Sequence, residues 1–158
     1  MQILESNRSE AVILLHGFGG SPRWMMLLGR RVARTGRRVV NWGYPTWRRS
    51  IGWSAERLVD RIDELAKDQA VERIHFVTYS MGSIICRAAL LQRSEREKLG
   101  RVVMLGPPNQ GSWIASFFAP WIGRLVPTVA ELATEPHSYV NGLPRLQGVE
   151  VGVIAAER

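Results

Sequence analysis

Five residues, Thr78-Tyr79-Ser80-Met81-Gly82, constrain the fold of this chain more than any others. They join an apolar run, Arg73-Ile74-His75-Phe76-Val77, which reads as a buried strand, to Ser83-Ile84-Ile85-Cys86-Arg87-Ala88-Ala89-Leu90-Leu91, which reads as a helix. A serine on so sharp a strand-to-helix turn has its hydroxyl pushed out at the carboxyl edge of the sheet, beside the unpaired N–H groups of the helix N-terminus. The turn forces the residues two before and two after the serine together, which is why the usual pattern is G-x-S-x-G. Here Gly82 fits, and Thr78 stands where the first glycine would be. The expectation is a nucleophile elbow with Ser80 at its apex; the competing reading is that Ser80 merely caps a buried helix.

An earlier stretch favours the first reading. Ala11-Val12-Ile13-Leu14-Leu15-His16-Gly17-Phe18-Gly19-Gly20 is an apolar strand that runs into a glycine-rich turn. The two motifs, in this order and each on a strand end, resemble the α/β-hydrolase family. The likeness is to its lipase- and esterase-like members, in which an H-G-x-x-G loop after one strand faces a G-H-S-M-G-type elbow after a later one. The resemblance implies a three-layer α/β sandwich with a mainly parallel sheet, with Ser80 as nucleophile. It also implies an oxyanion hole made by the backbone N–H groups of Met81, the residue after the nucleophile, and Phe18, the residue after His16-Gly17; His16 would hold the turn. No cofactor or metal is expected. A phosphate-cradling loop is the alternative use of Gly17, Gly19 and Gly20, but H-G-F-G-G lacks both the lysine of a nucleotide P-loop and the spacing of G-x-G-x-x-G.

The rest of the chain alternates strand and helix. Ser21-Pro22 reads as a helix cap followed by proline at the first helical position, with Trp24, Leu27, Leu28 and Val32 at helical spacing and Gly36 as the stop. Arg38-Val39-Val40-Asn41-Trp42 is a second strand, followed by the irregular Gly43-Tyr44-Pro45-Thr46-Trp47. Ser54 is expected to cap the next helix, with Leu58, Ile62, Leu65 and Ala66 on its apolar face. Gly100 is expected to close the helix unit that follows the elbow. Arg101–Leu105 and Glu150–Ile154 complete five strands. Strands alternating with helices argue a parallel sheet covered on both faces by right-handed crossovers, and the family topology gives the order 2-1-3-4-5. Ligands then bind outside the carboxyl ends of strands one and three.

Length and charge limit the partners. A chain of 158 residues is one domain by length. The N-terminus, Met1-Gln2-Ile3-Leu4-Glu5, lacks the layout of a signal peptide and no run approaches the ~20 apolar residues of a membrane span, so a cytoplasmic protein without integral membrane contact is expected. The lone Cys86 reads as a buried structural thiol. A net charge of +7 is carried by arginine, and pairs such as Arg30-Arg31, Arg37-Arg38 and Arg48-Arg49 could attract nucleic acid or anionic lipid. Because arginines occur in every segment and no nucleic-acid motif accompanies them, a solvated surface and no nucleic-acid partner are expected.

The remaining catalytic parts are harder to place. A serine hydroxyl needs a histidine base, and the base needs an acid to orient it. His75 lies in the same strand as Ser80 and about 16 Å from it at ~3.3 Å per residue, too far to act. His16 belongs to the glycine turn, and His137 reads as a loop histidine. The aspartates Asp60, Asp63 and Asp68 sit on a wet helix face, and Glu157 is a poor candidate acid. The family order is serine, then acid, then histidine, the last two after later strands, whereas this sequence stops at Arg158. The resemblance therefore implies a hydrolase domain, residues 1–158, without its final strand and helix and only weakly active as it stands. Between the fourth and fifth strands, residues 107–146 form a possible cap, in which Trp113, Phe117, Phe118 and Trp121 are candidates for lining an acyl cleft. The expected function is cleavage of carboxylic esters of small molecules or lipids through an acyl-enzyme on Ser80. The alternatives are a non-catalytic relative of the same fold that binds a ligand, or a thioesterase or amidase using the same serine.

Overall fold

The computed structural model describes residues 9–93, 97–107, 142–144 and 146–155. Five parallel strands, β1 (Glu10–Leu15), β2 (Arg38–Trp42), β3 (Arg73–Tyr79), β4 (Leu99–Leu105) and β5 (Val151–Ile154), form one sheet in the order β2-β1-β3-β4-β5. This is the order expected. Among the described residues three helices link the first four strands: α1 (Pro22–Ala33), α2 (Ile51–Lys67) and α3 (Met81–Gln92).

Alternation along β1 explains the layers. Ala11, Ile13 and Leu15 face one side and join a core with Leu58 and Ile62 of α2 and with Ile84, Ile85 and Ala88 of α3. Val12 and Leu14 face the other side, where Met25, Leu28 and Val32 of α1 cover them. Strands buried on both faces read as continuous apolar runs, as β1 does. None of the described helices is long and apolar enough to cross a membrane.

Two boundaries differ from expectation. The cap of α2 is Ser50, whose Oγ accepts the Trp53 N–H at 3.0 Å, while Ser54 is buried inside the helix. Starting one turn earlier lets α2 bury Ile51 completely, and that burial outweighs the unfavourable Gly52 in the first turn. Gly100 is not a terminator. It lies within β4 and leaves room for the His75 ring, since a Cβ there would be 2.5 Å from Nδ1 of His75. Gly36 and Pro22 act as expected, Gly36 with φ of 84° just beyond α1 and Pro22 at its first position.

Candidate active site

Ser80 sits at the junction of β3 and α3 with φ 49° and ψ −120°. It is the one non-glycine residue at positive φ among the described residues. L-residues avoid this region, and a side chain held there costs about 1–3 kcal/mol, which the surrounding contacts must offset. Those contacts are visible. The Ser80 N–H donates to the Leu105 carbonyl at the end of β4 at 2.9 Å, and the Ser83 N–H donates to the Ser80 carbonyl at 2.9 Å. Gly82 is required by close approach. A Cβ there would lie 2.7 Å from the His16 carbonyl oxygen and 2.8 Å from Leu15 Cβ, so α3 begins in direct contact with the end of β1.

Thr78 is accommodated where the usual pattern has glycine. Its side chain is fully buried, donates to the Val103 carbonyl at 3.3 Å, and lies 2.8 Å from the Ser83 hydroxyl, which is left to donate to Thr78 Oγ1. The crowding that demands glycine therefore falls on position 82 alone.

The glycine loop after β1 closes on this turn. A Cβ on Gly17 would be 3.2 Å from Ser80 Cβ and 3.0 Å from the Tyr79 ring. The Gly20 N–H donates to the Gly17 carbonyl at 3.2 Å, with Gly19 between them at φ 69°, the left-handed position a tight turn of this kind requires. The stretch after β2, irregular by its sequence, braces the loop. Tyr44 stacks on His16 with ring centroids 4.3 Å apart and donates its hydroxyl proton to the His16 carbonyl. Thr46 is buried and accepts the Gly19 N–H at 3.2 Å. Trp47 packs on Phe18 at 4.6 Å. The signal that could have found them is adjacency, because a parallel sheet places the loop after β2 beside the loop after β1 at the carboxyl edge.

The hydrogen bonds of the described residues leave the N–H groups of Phe18 and Met81 unused, and Met81 is the first residue of α3, where helix amides have no internal acceptor. Two amides without a partner among the described residues and a serine of strained backbone thus lie at the same edge of the sheet, after β1 and after β3. A family model described as the alpha/beta hydrolase family matches residues 12–154. The chain belongs to that family. Solved structures of similar fold include the mature form of the Bacillus licheniformis lipase BlEst2, at 19% identity and a TM-score of 0.64, covering 81% of this chain and 56% of that one. A monoacylglycerol lipase from Paleococcus ferrophilus matches at 19% identity and 0.57, covering 74% and 48%. A cutinase-like protein from Cryptococcus matches at 17% and 0.57, covering 93% and 75%. None of the curated proteins matches. The chain spans about half the length of the first two of these relatives.

Within this α/β hydrolase the three histidines have separate fates. His16 is buried, with Nδ1 3.0 Å from the Gly17 carbonyl and so carrying the proton; burial holds its pKa below the usual value and keeps it neutral. His75 lies at the opposite, amino edge of the sheet. Its Nδ1 accepts the Arg101 N–H at 3.0 Å, and it borders a cavity of about 400 Å³ whose lining includes Glu10, Arg73, Arg101 and Glu150. His137 lies outside the described residues, as do Trp113, Phe117, Phe118, Trp121 and Glu157 and nearly all of the expected cap. Among the described residues no side chain hydrogen-bonds Ser80 Oγ, and no cluster of His, Cys, Asp or Glu could hold a metal ion. Cys86 is buried and its thiol pKa is pushed far up by that burial, so it stays protonated.

Proposed function

We propose that this protein is a serine hydrolase that cleaves carboxylic esters, lipase- or esterase-like in substrate, with Ser80 as nucleophile. The observation that carries this reading is the positive φ of Ser80 beside the glycine loop. Strain at a non-glycine residue persists where structure over-determines it, and such strain clusters at functional sites.

The reaction runs in two halves. Ser80 Oγ attacks the ester carbonyl carbon, and the tetrahedral intermediate places its oxyanion between the N–H groups of Phe18 and Met81. Two fixed donors of this kind are each worth about 3 kcal/mol in the transition state. The C–O bond to the alcohol then breaks, the alcohol leaves with a proton, and water hydrolyses the acyl-serine to the acid. Neither described histidine is bonded to Ser80, His16 being held on the Gly17 carbonyl and His75 on the Arg101 N–H, so we assign the base that takes the Ser80 proton to another residue.

Labelling with a fluorophosphonate tests the reading. The probe is expected to modify the protein at Ser80 and to leave Ser80→Ala unlabelled. Modification elsewhere, or none, would return the domain to a binding role. A panel of matched ester, thioester and amide substrates then fixes the acyl donor.

A further inference from the structure

The positive charge of this protein is concentrated in one part of the fold. Residues 11–55 hold eight of the chain's 21 basic residues and none of its 14 acidic ones, which leaves 13 against 14 everywhere else. That stretch builds β1 apart from Glu10, α1, the edge strand β2, the loop into α2 and the first turn of that helix. Two of the eight arginines are neutralised by acids from outside it, Arg37 by Glu10 and Arg38 by Asp68, each at 2.7 Å. Arg23, Arg30, Arg31 and Arg34 on and beside α1, and Arg48 after β2, are exposed and enter none of the ion pairs among the described residues.

Large apolar side chains are interleaved with these charges. Leu27 is 63% exposed and Trp24 60%, with Met26 and Trp47 also on the surface. On α1, Arg23, Leu27, Arg30 and Arg34 follow at three- and four-residue spacing on the side away from the buried Met25 and Gly29. The helix starts at the serine edge. The Trp24 ring lies against Gly20 of the glycine loop, where a Cβ would be 2.9 Å from it, and Trp47 lies on Phe18. The exposed aromatic residues therefore lie on the glycine loop, whose Gly17 packs against Ser80.

We propose that α1 and the loop after β2 dock on an anionic lipid surface. The arginines bind headgroup phosphates, Trp24, Met26, Leu27 and Trp47 enter the headgroup boundary, and the sheet edge that carries Ser80 is held against that surface. A basic helix with Trp and Leu among its charges lies in the plane of a membrane, and each arginine near an anionic leaflet strengthens binding about fivefold. A nucleic acid would satisfy the charge, but Met26 and Leu27 offer no flat face on which a base can stack, and exposing them to a polyanion gains nothing. Placing this surface beside the serine serves catalysis only if Ser80 is the nucleophile, so that part rests on the function proposed above, and binding is measured apart from catalysis.

The experiment uses the full chain carrying Ser80→Ala, sedimented with vesicles of phosphatidylglycerol and phosphatidylcholine in equal parts, with pure phosphatidylcholine vesicles and duplex DNA as the other arms. Expected is binding to the anionic vesicles at least about tenfold tighter than to the neutral ones, weakened by added salt. Arg30→Gln, Arg31→Gln and Arg34→Gln together should weaken it by about tenfold or more, and Leu27→Ser should weaken it severalfold while leaving the far-ultraviolet spectrum unchanged. Equal binding to both vesicles, anionic binding that survives the triple substitution, or insensitivity to Leu27→Ser would each overturn the proposal. So would tighter binding to DNA than to vesicles. A protein that binds vesicles but fails the fluorophosphonate test would sink the catalytic reading alone.

Discussion

Replacing Ser80 by glycine should make this protein more stable while abolishing any chemistry at the serine. Ser80 is held at φ 49° and ψ −120°, a conformation glycine adopts freely and other residues adopt at a cost of about 1–3 kcal/mol. Glycine also loses more backbone freedom on folding than alanine does, which costs about 0.4–1 kcal/mol at an unstrained position. The two terms oppose each other, and the strain is the larger. Ser80→Gly should therefore exceed Ser80→Ala in stability by about 1 kcal/mol, or about 2–4 °C in melting temperature for a chain of this size. Alanine is the right reference because it removes the hydroxyl and keeps the Cβ that causes the strain. Thermal unfolding of both variants, followed by circular dichroism, measures the difference. A glycine variant less stable than the alanine variant by several tenths of a kcal/mol, as at an unstrained position inside a helix, would refute the claim that the turn is strained.

Further expectations rest on neighbouring contacts. Thr46→Val removes the acceptor of the Gly19 N–H, and kcat for a short-chain nitrophenyl ester should fall about tenfold or more with KM little changed, while Thr46→Ser should restore it. Equal loss in both variants would mean that shape matters there and the hydrogen bond does not. Gly82→Ala puts a Cβ within 2.7 Å of the His16 carbonyl, so it should destabilise by about 1–3 kcal/mol and depress activity through the displaced glycine loop; an unchanged melting temperature would contradict the close approach. Stability should also fall in mild acid. Burial lowers the pKa of both His16 and His75 from the ordinary 6.5, so the unfolded chain takes up protons first. Their contribution is complete above pH 6.5 and is lost as pH drops through the folded values. His75→Asn, whose Oδ1 can replace Nδ1 as acceptor of the Arg101 N–H, should flatten that decline, and a decline as steep as in the parent would remove His75 from the account.

The strands can be read from the sequence because each is a short apolar run, and their order follows from the family resemblance that the two glycine motifs carry. Local signals fail where burial in the assembled fold decides. Ser50 and Ser54 are both plausible caps, and the pocket that takes Ile51 selects the earlier one. Thr78 looks like a defect in the turn motif because its partners, Ser83 and the Val103 carbonyl, come from a helix and a strand that lie later in the chain. Tyr44, Thr46 and Trp47 carry no motif at all; only the pairing of β2 beside β1 gives them the glycine loop to hold.

The bond from the Ser80 N–H to the Leu105 carbonyl has a bearing on synthesis. Chains emerge from the ribosome N-terminus first, at about 5–20 residues per second, so β3 and α3 exist before the end of β4 has been made. Until Leu105 arrives, one of the contacts that hold Ser80 in its costly conformation is missing, and the serine backbone is free to relax. The turn that holds Ser80 is thus completed by a strand made after it, and the serine backbone is locked only when β4 is in place.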